Sequence, residues 1–550
     1  MKPQKIWASL DPFFEGKEIV GRTVANERFL RALLGCDPFD AYHFFPGDKN
    51  GVQTLSRRLK REFPDLWSQG KFQLEARLGL PRALAKTPYH CFHLSDCINF
   101  PAPMARLRNA HSPEIFPITS VTHSLSYSRY AKEMLTHLWP GATPRDCVVV
   151  TSEAARHVVS GFYETLRRGF GLDREGFPGP GLEKIPLGVD TGEYRPPSDQ
   201  ERMRARNKLG IPEDCRMLLI FARISHHSKM DVLPVFRAVQ RLFRDGVGPK
   251  GLCLYLAGWM DEKDGFKKTL LDLAANIGLD LRVAVKPDEA AKKDLFWACD
   301  LFLSPADNPQ ETFGLTVLEA GAFGCPTVAS DYDGYRDLIV PGKTGALVPT
   351  IGPDQTGDVD DLAPVCFENH YHLLLTQQTV VEVPELYRAL SRILDDEESR
   401  RRMGWAARRH VEENFSWERV IRAYVALWDR LWDAPVDIEK LRGKVHPLHL
   451  PYSRVFSGHA TRNFGPGITV QWTLAGQAVY RERDFVLVYE TLKDKVLVET
   501  LKKLLFFARK PGPAVDLAER LAQTESLTPE EAHFYVLWAM KHDLLERVDE

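Results

Sequence analysis

Two successive series of short apolar runs, each run followed by a helix-like stretch, limit this 550-residue chain more than any other feature of it. The first series occupies residues 5–10, 90–94, 118–123 and 147–151; the second occupies 217–222, 252–257, 281–285, 301–304 and 327–330. Runs this brief, rich in Val, Leu, Ile and Phe, are what strands of a parallel sheet need when helices cover both faces. Alternation with helices reads as βαβ units, and two series predict two doubly wound domains. The segment 185–190 (IPLGVD), followed by Pro196 and Pro197, breaks regular structure and marks the linker. The expected α/β organisation is therefore a Rossmann-like domain over 1–195 and a second over 196–414. A loop inserted at 351–383 is expected to carry its own packing. A closing helix follows at 415–433, and a small α+β module at 440–550. Within that module, 468–474, 477–480 and 485–489 look like strands, and 498–508, 514–522 and 528–541 look like helices before an apolar tail, an order similar to a winged helix.

Charge and cysteines narrow the function classes. Lys plus Arg (72) nearly balances Asp plus Glu (74), so there is no basic excess for nucleic acid, and none is expected as a partner. Nine scattered cysteines without a metal-ligand spacing fit reduced thiols and a cytoplasmic location. No apolar run approaches the length that spans a bilayer, which leaves peripheral membrane contact and homo-oligomerisation open.

The chemistry concentrates in 306–330, ADNPQETFGLTVLEAGAFGCPTVAS. Glu311 lies on a loop after a buried run, and the stretch from Thr316 has helix composition and carries Glu319 eight positions after Glu311. A helix N-terminus offers free N–H groups and partial positive charge, so the turn Gly314, Leu315, Thr316 suits a diphosphate, with Gly314 permitting close approach. Glu311 is placed to accept hydrogen bonds from sugar hydroxyls and Glu319 from a ribose diol. Arg223 and Lys229 follow the first run of the second series, where ligands of such sheets bind, and two cations there can neutralise a departing diphosphate. In the first domain His123 ends an apolar run. Asp331 and Asp333 have a metal-site spacing, and His226 and His227 are adjacent, but neither pattern is expected to gather a metal.

These segments resemble the retaining glycosyltransferases of the GT-B fold, family four, whose signature holds two glutamates at this spacing. The likeness runs over about 1–433. It includes the linker at 185–190, the loop from Asp333 through Gly342 to Gly345, and Phe415-Ser-Trp417 at the start of the closing helix. It implies that Glu311 contacts a donor hexose, Glu319 the ribose, and Arg223 with Lys229 the diphosphate. The Arg-to-Lys spacing here is one residue longer than usual. His123 would stand beside the reacting sugar, and Gly16 and Gly21 would occupy the place of the family's first glycine loop, without its paired glycines. The implied activity is metal-independent, retaining transfer of a hexosyl group from a nucleotide sugar, UDP or GDP, without a cofactor. The acceptor is open among glycan, lipid, small molecule and peptide. An inactive GT-B scaffold or nucleotide-sugar-binding subunit is the alternative. It would need losses among donor residues, yet Glu311, Glu319 and Arg223 are all present.

Overall fold

A computed structural model describes residues 4–14, 21–225, 227–246, 251–260, 265–366, 370–493 and 495–548. The first series builds seven strands: β1 (Ile6–Ser9), β2 (Ala41–Phe44), β3 (Phe72–Leu74), β4 (Cys91–Leu94), β5 (Ile118–Val121), β6 (Asp146–Val150) and β7 (Gly181–Lys184). They lie in the order β3-β2-β1-β4-β5-β6-β7, every pair parallel. Strands β2, β3 and β7 lie outside the apolar runs of the sequence. In β2, His43 is buried inside the sheet, and burial pushes its pKa down to about 4, so the ring is neutral.

The second series builds β8 (Cys215–Phe221), β9 (Gly251–Gly258), β10 (Asp280–Val285), β11 (Leu301–Ser304), β12 (Thr327–Ser330) and β13 (Gly345–Val348), ordered β10-β9-β8-β11-β12-β13 and again all parallel. Strand β8 shows why its run is apolar throughout. Leu218 and Ile220 enter one apolar cluster, Met217 and Leu219 the other, because successive side chains point to opposite faces and helices cover both. All four are fully buried, and each such burial contributes about 2 kcal/mol.

The chain then returns to the first domain. Helix Trp417–Asp433 buries Trp417, Val420, Ile421, Tyr424, Leu427 and Trp428 in the same cluster as Trp7 and Phe29. Trp428 Nε1 donates to Thr119 Oγ1 on β5 at 2.8 Å. The linker glycine has a packing reason: a Cβ on Gly188 would stand 2.5 Å from the Trp417 indole. Val189 N donates to the Phe415 carbonyl beside it.

Between β13 and helix Val383–Asp395 lies the inserted segment. Its ends pair antiparallel, Thr350–Ile351 with Val380–Val381, and it carries helices Gly357–Leu362 and His370–Thr376. Val359, Ala363 and Tyr371 form its own small apolar cluster.

Two compact units divide between Pro447 and Leu448. Residues 440–447 stay with the first unit, where Arg442 donates to the carbonyls of Asn109 and Ser112. In the second unit, Thr469–Trp472 is the central strand of an antiparallel sheet with Gly512–Pro513 and Leu545–Arg547. Helices Val498–Phe507, Ala514–Glu525 and Pro529–Lys541 pack on it around Leu501, Leu504 and Val536. Two of its expected strands are absent. Residues 477–480 belong to helix Leu474–Tyr480, whose first turn is capped by Thr473 Oγ1 accepting from Gly476 N. Residues 485–489 form no strand, and Phe485, Leu487 and Tyr489 are exposed. No helix among the described residues is long and apolar enough to cross a membrane, and all nine cysteines are free thiols.

Candidate functional site

Strand order places the site. The chain leaves β8 toward β9 on one side and reaches β11 on the other, so a crevice opens beyond the carboxyl ends of this neighbouring pair. Arg223 and Lys229 follow β8, and the loop carrying Asp307, Gln310 and Glu311 follows β11. The structure brings Lys229 onto Glu311 and Arg223 within electrostatic reach of it.

Glu311 is the centre of a network. Lys229 Nζ and the Tyr335 hydroxyl both donate to its Oε2, the latter at 3.2 Å, and the backbone N–H groups of Thr312 and Phe313 donate to Oε1 at 3.2 and 3.3 Å. Burial alone would raise its pKa; the charge of Lys229 and these hydrogen bonds outweigh burial and hold it below the usual carboxylate value. Glu311 is thus an ionised acceptor. Tyr335 reaches it because of Gly314, which has φ 107°, and a Cβ there would sit 2.4 Å from the Tyr335 ring. Glycine is therefore required at 314 by the Tyr335 ring and by the left-handed backbone, whether or not a phosphate approaches it. Helix Leu315–Ala322 starts immediately after it, and the Thr316 hydroxyl is buried there with no partner among the described residues.

Arg223 is half-buried and, among the described residues, makes no hydrogen bond or ion pair. Burial lowers its pKa, partly offset by Tyr127 and Glu311. A half-buried guanidinium that is unpaired among the described residues and lies within electrostatic reach of Glu311 is an arrangement that an anion would complete.

Glu319 is 3% exposed and already paired. Its Oε1 accepts from Arg28 Nη1 at 2.7 Å and from Lys292 Nζ at 2.9 Å, while Arg28 Nη2 donates to the Tyr194 hydroxyl at 2.6 Å. Burial raises its pKa, and the charges of Lys292 and Arg28 bring it below the ordinary value. Arg28 belongs to helix Gly21–Cys36 of the first domain, so this contact joins the two domains.

His123 follows β5 and also faces the second domain through its neighbour. Its Nε2–H donates to the Ser95 carbonyl at 2.8 Å and lies 3.2 Å from Asn26 Oδ1. Burial pushes its pKa down to about 4, so the ring is neutral and Nδ1 is its acceptor. Ser124 Oγ donates to the Gln310 carbonyl at 3.0 Å, and Ser152 Oγ to the Thr312 carbonyl at 2.8 Å. The two domains meet on either side of Glu311.

Other expectations fare unevenly. Gly21 opens its helix exposed, and no described residue comes within 4 Å of the place a Cβ would take there. Gly16 and His226 lie outside the described residues. Asp331 is paired with Arg336, whereas Asp333 Oδ1 is buried with no partner among the described residues, and burial beside Glu311 raises its pKa strongly. Among the described residues no group of three or more His, Cys, Asp or Glu is placed to hold a metal. Arg28, Lys292 and Tyr335 were not singled out from the sequence. The first two read there as ordinary helical cations, while Tyr335 lies inside the loop that carries part of the resemblance.

Two doubly wound parallel domains with a site at the switch point and a helix returning to the first domain define a GT-B architecture. Residues 201–358, within the second domain, match the family model of glycosyl transferases group 1. The fold is shared with Anabaena Alr3699/HepE in complex with UDP, at a TM-score of 0.51 and 13% identity over 78% of this chain and 100% of that one. A Rickettsia africae glycosyltransferase matches at 0.51 and 13% over 79% and 100%. Among curated relatives, a D-inositol 3-phosphate glycosyltransferase of Nocardia farcinica is 28% identical over 289 residues, 51% of this chain and 53% of the relative. That of Stackebrandtia nassauensis is 34% identical over 175 residues, 31% and 38%. The chain spans about half the length of the first of these curated relatives that it matches.

Proposed function

We propose that the protein transfers a hexosyl group from a nucleotide-diphosphate sugar, UDP- or GDP-linked, to an acceptor hydroxyl with retention and without a metal. The observation that carries this reading is the half-buried Arg223, unpaired among the described residues, within electrostatic reach of an ionised Glu311 that is held by Lys229 on the loop leading into helix Leu315–Ala322. The family match over 201–358 and the UDP-bound structure of similar fold support it. In this reading the bond from the anomeric carbon to the diphosphate oxygen breaks, and the acceptor oxygen bonds to that carbon on the same face. The acceptor proton goes to a phosphate oxygen of the departing nucleotide. Arg223 and Lys229 stabilise the charge that grows on the diphosphate, and Glu311 orients the sugar through its hydroxyls. Neutral His123 accepts a hydrogen bond at Nδ1 from the sugar or the acceptor.

The test is a screen of UDP-, GDP- and ADP-sugars by thermal shift and by slow hydrolysis of the donor. One nucleotide class should raise the melting temperature, and its sugar should be released. Binding of a nucleotide sugar with no hydrolysis or transfer would favour the non-catalytic subunit, and no binding at all would sink both readings.

A further inference from the structure

Helix His370–Thr376 of the inserted segment touches both walls of the cleft. On the donor side it holds the loop that carries Glu311 at two points. His372 Nδ1 accepts from Gln310 Nε2 at 3.0 Å, and Thr376 Oγ1 accepts from Asn308 Nδ2 at 2.9 Å. On the opposite side it reaches the segment that follows His123. His372 Nε2–H donates to the Ser126 carbonyl at 3.2 Å and the Tyr371 hydroxyl donates to the same carbonyl at 3.0 Å, while Ser128 Oγ donates to the carbonyl of Ala363, at the end of the segment's other helix, at 2.7 Å. Gln310 Nε2 also donates to the Tyr127 hydroxyl at 2.9 Å.

The chemistry of this arrangement selects one state of one ring. A carbonyl only accepts, so Nε2 of His372 carries the proton; in the neutral ring Nδ1 is then the acceptor that an amide N–H of Gln310 requires. His372 is fully buried, so neither bond has water as a substitute. Gln310 precedes Glu311, and Ser126 lies three residues beyond His123. One imidazole therefore spans the gap between the loop proposed to orient the sugar and the segment of the facing domain that carries the other candidate group.

We propose that His372 is a positioning residue for the transfer reaction: it sets the Glu311 loop in register with the segment 123–128 across the cleft, and the inserted segment exists at this point of the fold to supply it. This rests on the reading of Glu311 and His123 given above. In the full-length chain, three substitutions separate its two bonds. His372→Phe removes both, His372→Asn keeps an acceptor near the place of Nδ1, and His372→Gln keeps a donor near that of Nε2.

Two readouts are needed, and one is independent of activity. Amide hydrogen exchange of 124–130 and 308–312 should quicken in His372→Phe, with Asn restoring chiefly the second segment and Gln chiefly the first. With UDP-glucose, or the nucleotide sugar that the screen identifies, kcat for donor hydrolysis should fall about tenfold in His372→Phe, as expected for two lost neutral hydrogen bonds. The Kd for the nucleotide should stay unchanged, and the Asn and Gln variants should recover part of kcat. Unchanged exchange, an unchanged kcat, or an equal loss of kcat and nucleotide affinity would overturn the proposal. If the wild-type chain neither binds nor hydrolyses any nucleotide sugar, the transferase reading falls, and the exchange pattern alone then decides whether His372 joins the two segments.

Discussion

Arg28 of the first domain and Glu319 of the second form a direct ion pair at 2.7 Å, with 19% and 4% of their side chains exposed. Lys292 reaches the same carboxylate oxygen, so two cations and one anion share a nearly dry site. A glutamate expected to meet only a ribose also joins the two domains.

Its removal should therefore be felt twice. Glu319→Ala leaves Arg28 and Lys292 close together without a counter-charge, and breaking a buried pair in this way costs about 3 kcal/mol. Thermal unfolding should show a clear drop, with Glu319→Gln milder because it still accepts hydrogen bonds. Nucleotide affinity should fall in both variants. A melting temperature unmoved by Glu319→Ala would contradict the paired geometry.

Glu311 should behave differently, because its proposed partner is the sugar that reacts. Glu311→Ala should lower kcat more than it raises KM, whereas Glu319→Ala should do the reverse. Steady-state kinetics on both variants distinguish the roles, and a Glu311 variant with wild-type kcat would remove that residue from the site.

For Arg223 the expected effect is larger. Loss of one preorganised cation from a developing charge costs about 3 kcal/mol, or roughly two orders of magnitude in rate. Arg223→Lys should recover only part of this, since a point charge on a flexible stem does not reproduce the planar fork. Near-wild-type kcat in Arg223→Ala would refute the diphosphate role. EDTA should leave activity intact, and loss restored by Mn²⁺ or Mg²⁺ would count against metal-independent transfer.

Stability should respond to pH through Asp307. Burial raises its pKa from 3.8 to about 8, with the charge of Asp231 adding to the shift, while Asp231 N–H partly opposes it. The folded chain therefore holds a proton that the unfolded chain releases between these values. The contribution is complete below pH 3.8 and is lost as pH rises toward about 8, at up to about 1.4 kcal/mol per pH unit. Buried neutral histidines act in the opposite sense. His43, His123 and His137, pushed down to about 4, lose their contribution as pH falls below 6.5. Urea midpoints should thus pass through a maximum on the weakly acidic side of neutrality. Asp307→Asn should flatten the alkaline limb and steepen the acidic one, where the aspartate opposes the histidines, and an unchanged alkaline limb would reject the raised pKa.

What the sequence revealed follows physical lines. Strands β8 to β12 were legible because burial on both faces demands continuous apolar runs, as Met217 to Ile220 show. Strand β2 was not, since His43 interrupts its composition and is accommodated only by being kept neutral. Strand β7 was hidden because it lies at the sheet edge, where Glu183 and Lys184 are tolerated. Residues 477–480 looked extended from composition, yet the Thr473 cap decided for helix. At the site, spacing alone exposed Glu311 and Glu319. Arg28 and Lys292 could not be seen, because 291 and 27 residues separate them from their partner and only tertiary folding brings them to it.

The return of helix Trp417–Asp433 to the first domain bears on how the chain is made. Its Trp428 is fully buried in a cluster whose other members, such as Trp7 and Phe29, are synthesised some four hundred residues earlier. Domains generally fold in order as they leave the ribosome. Here the domain that begins first cannot complete its core until the later one has been made, so the second domain is free to finish first while the first waits with part of its apolar interior uncovered. A nascent chain halted at residue 414 should accordingly protect the second sheet from protease and leave the first susceptible, and release of the remaining residues should close both.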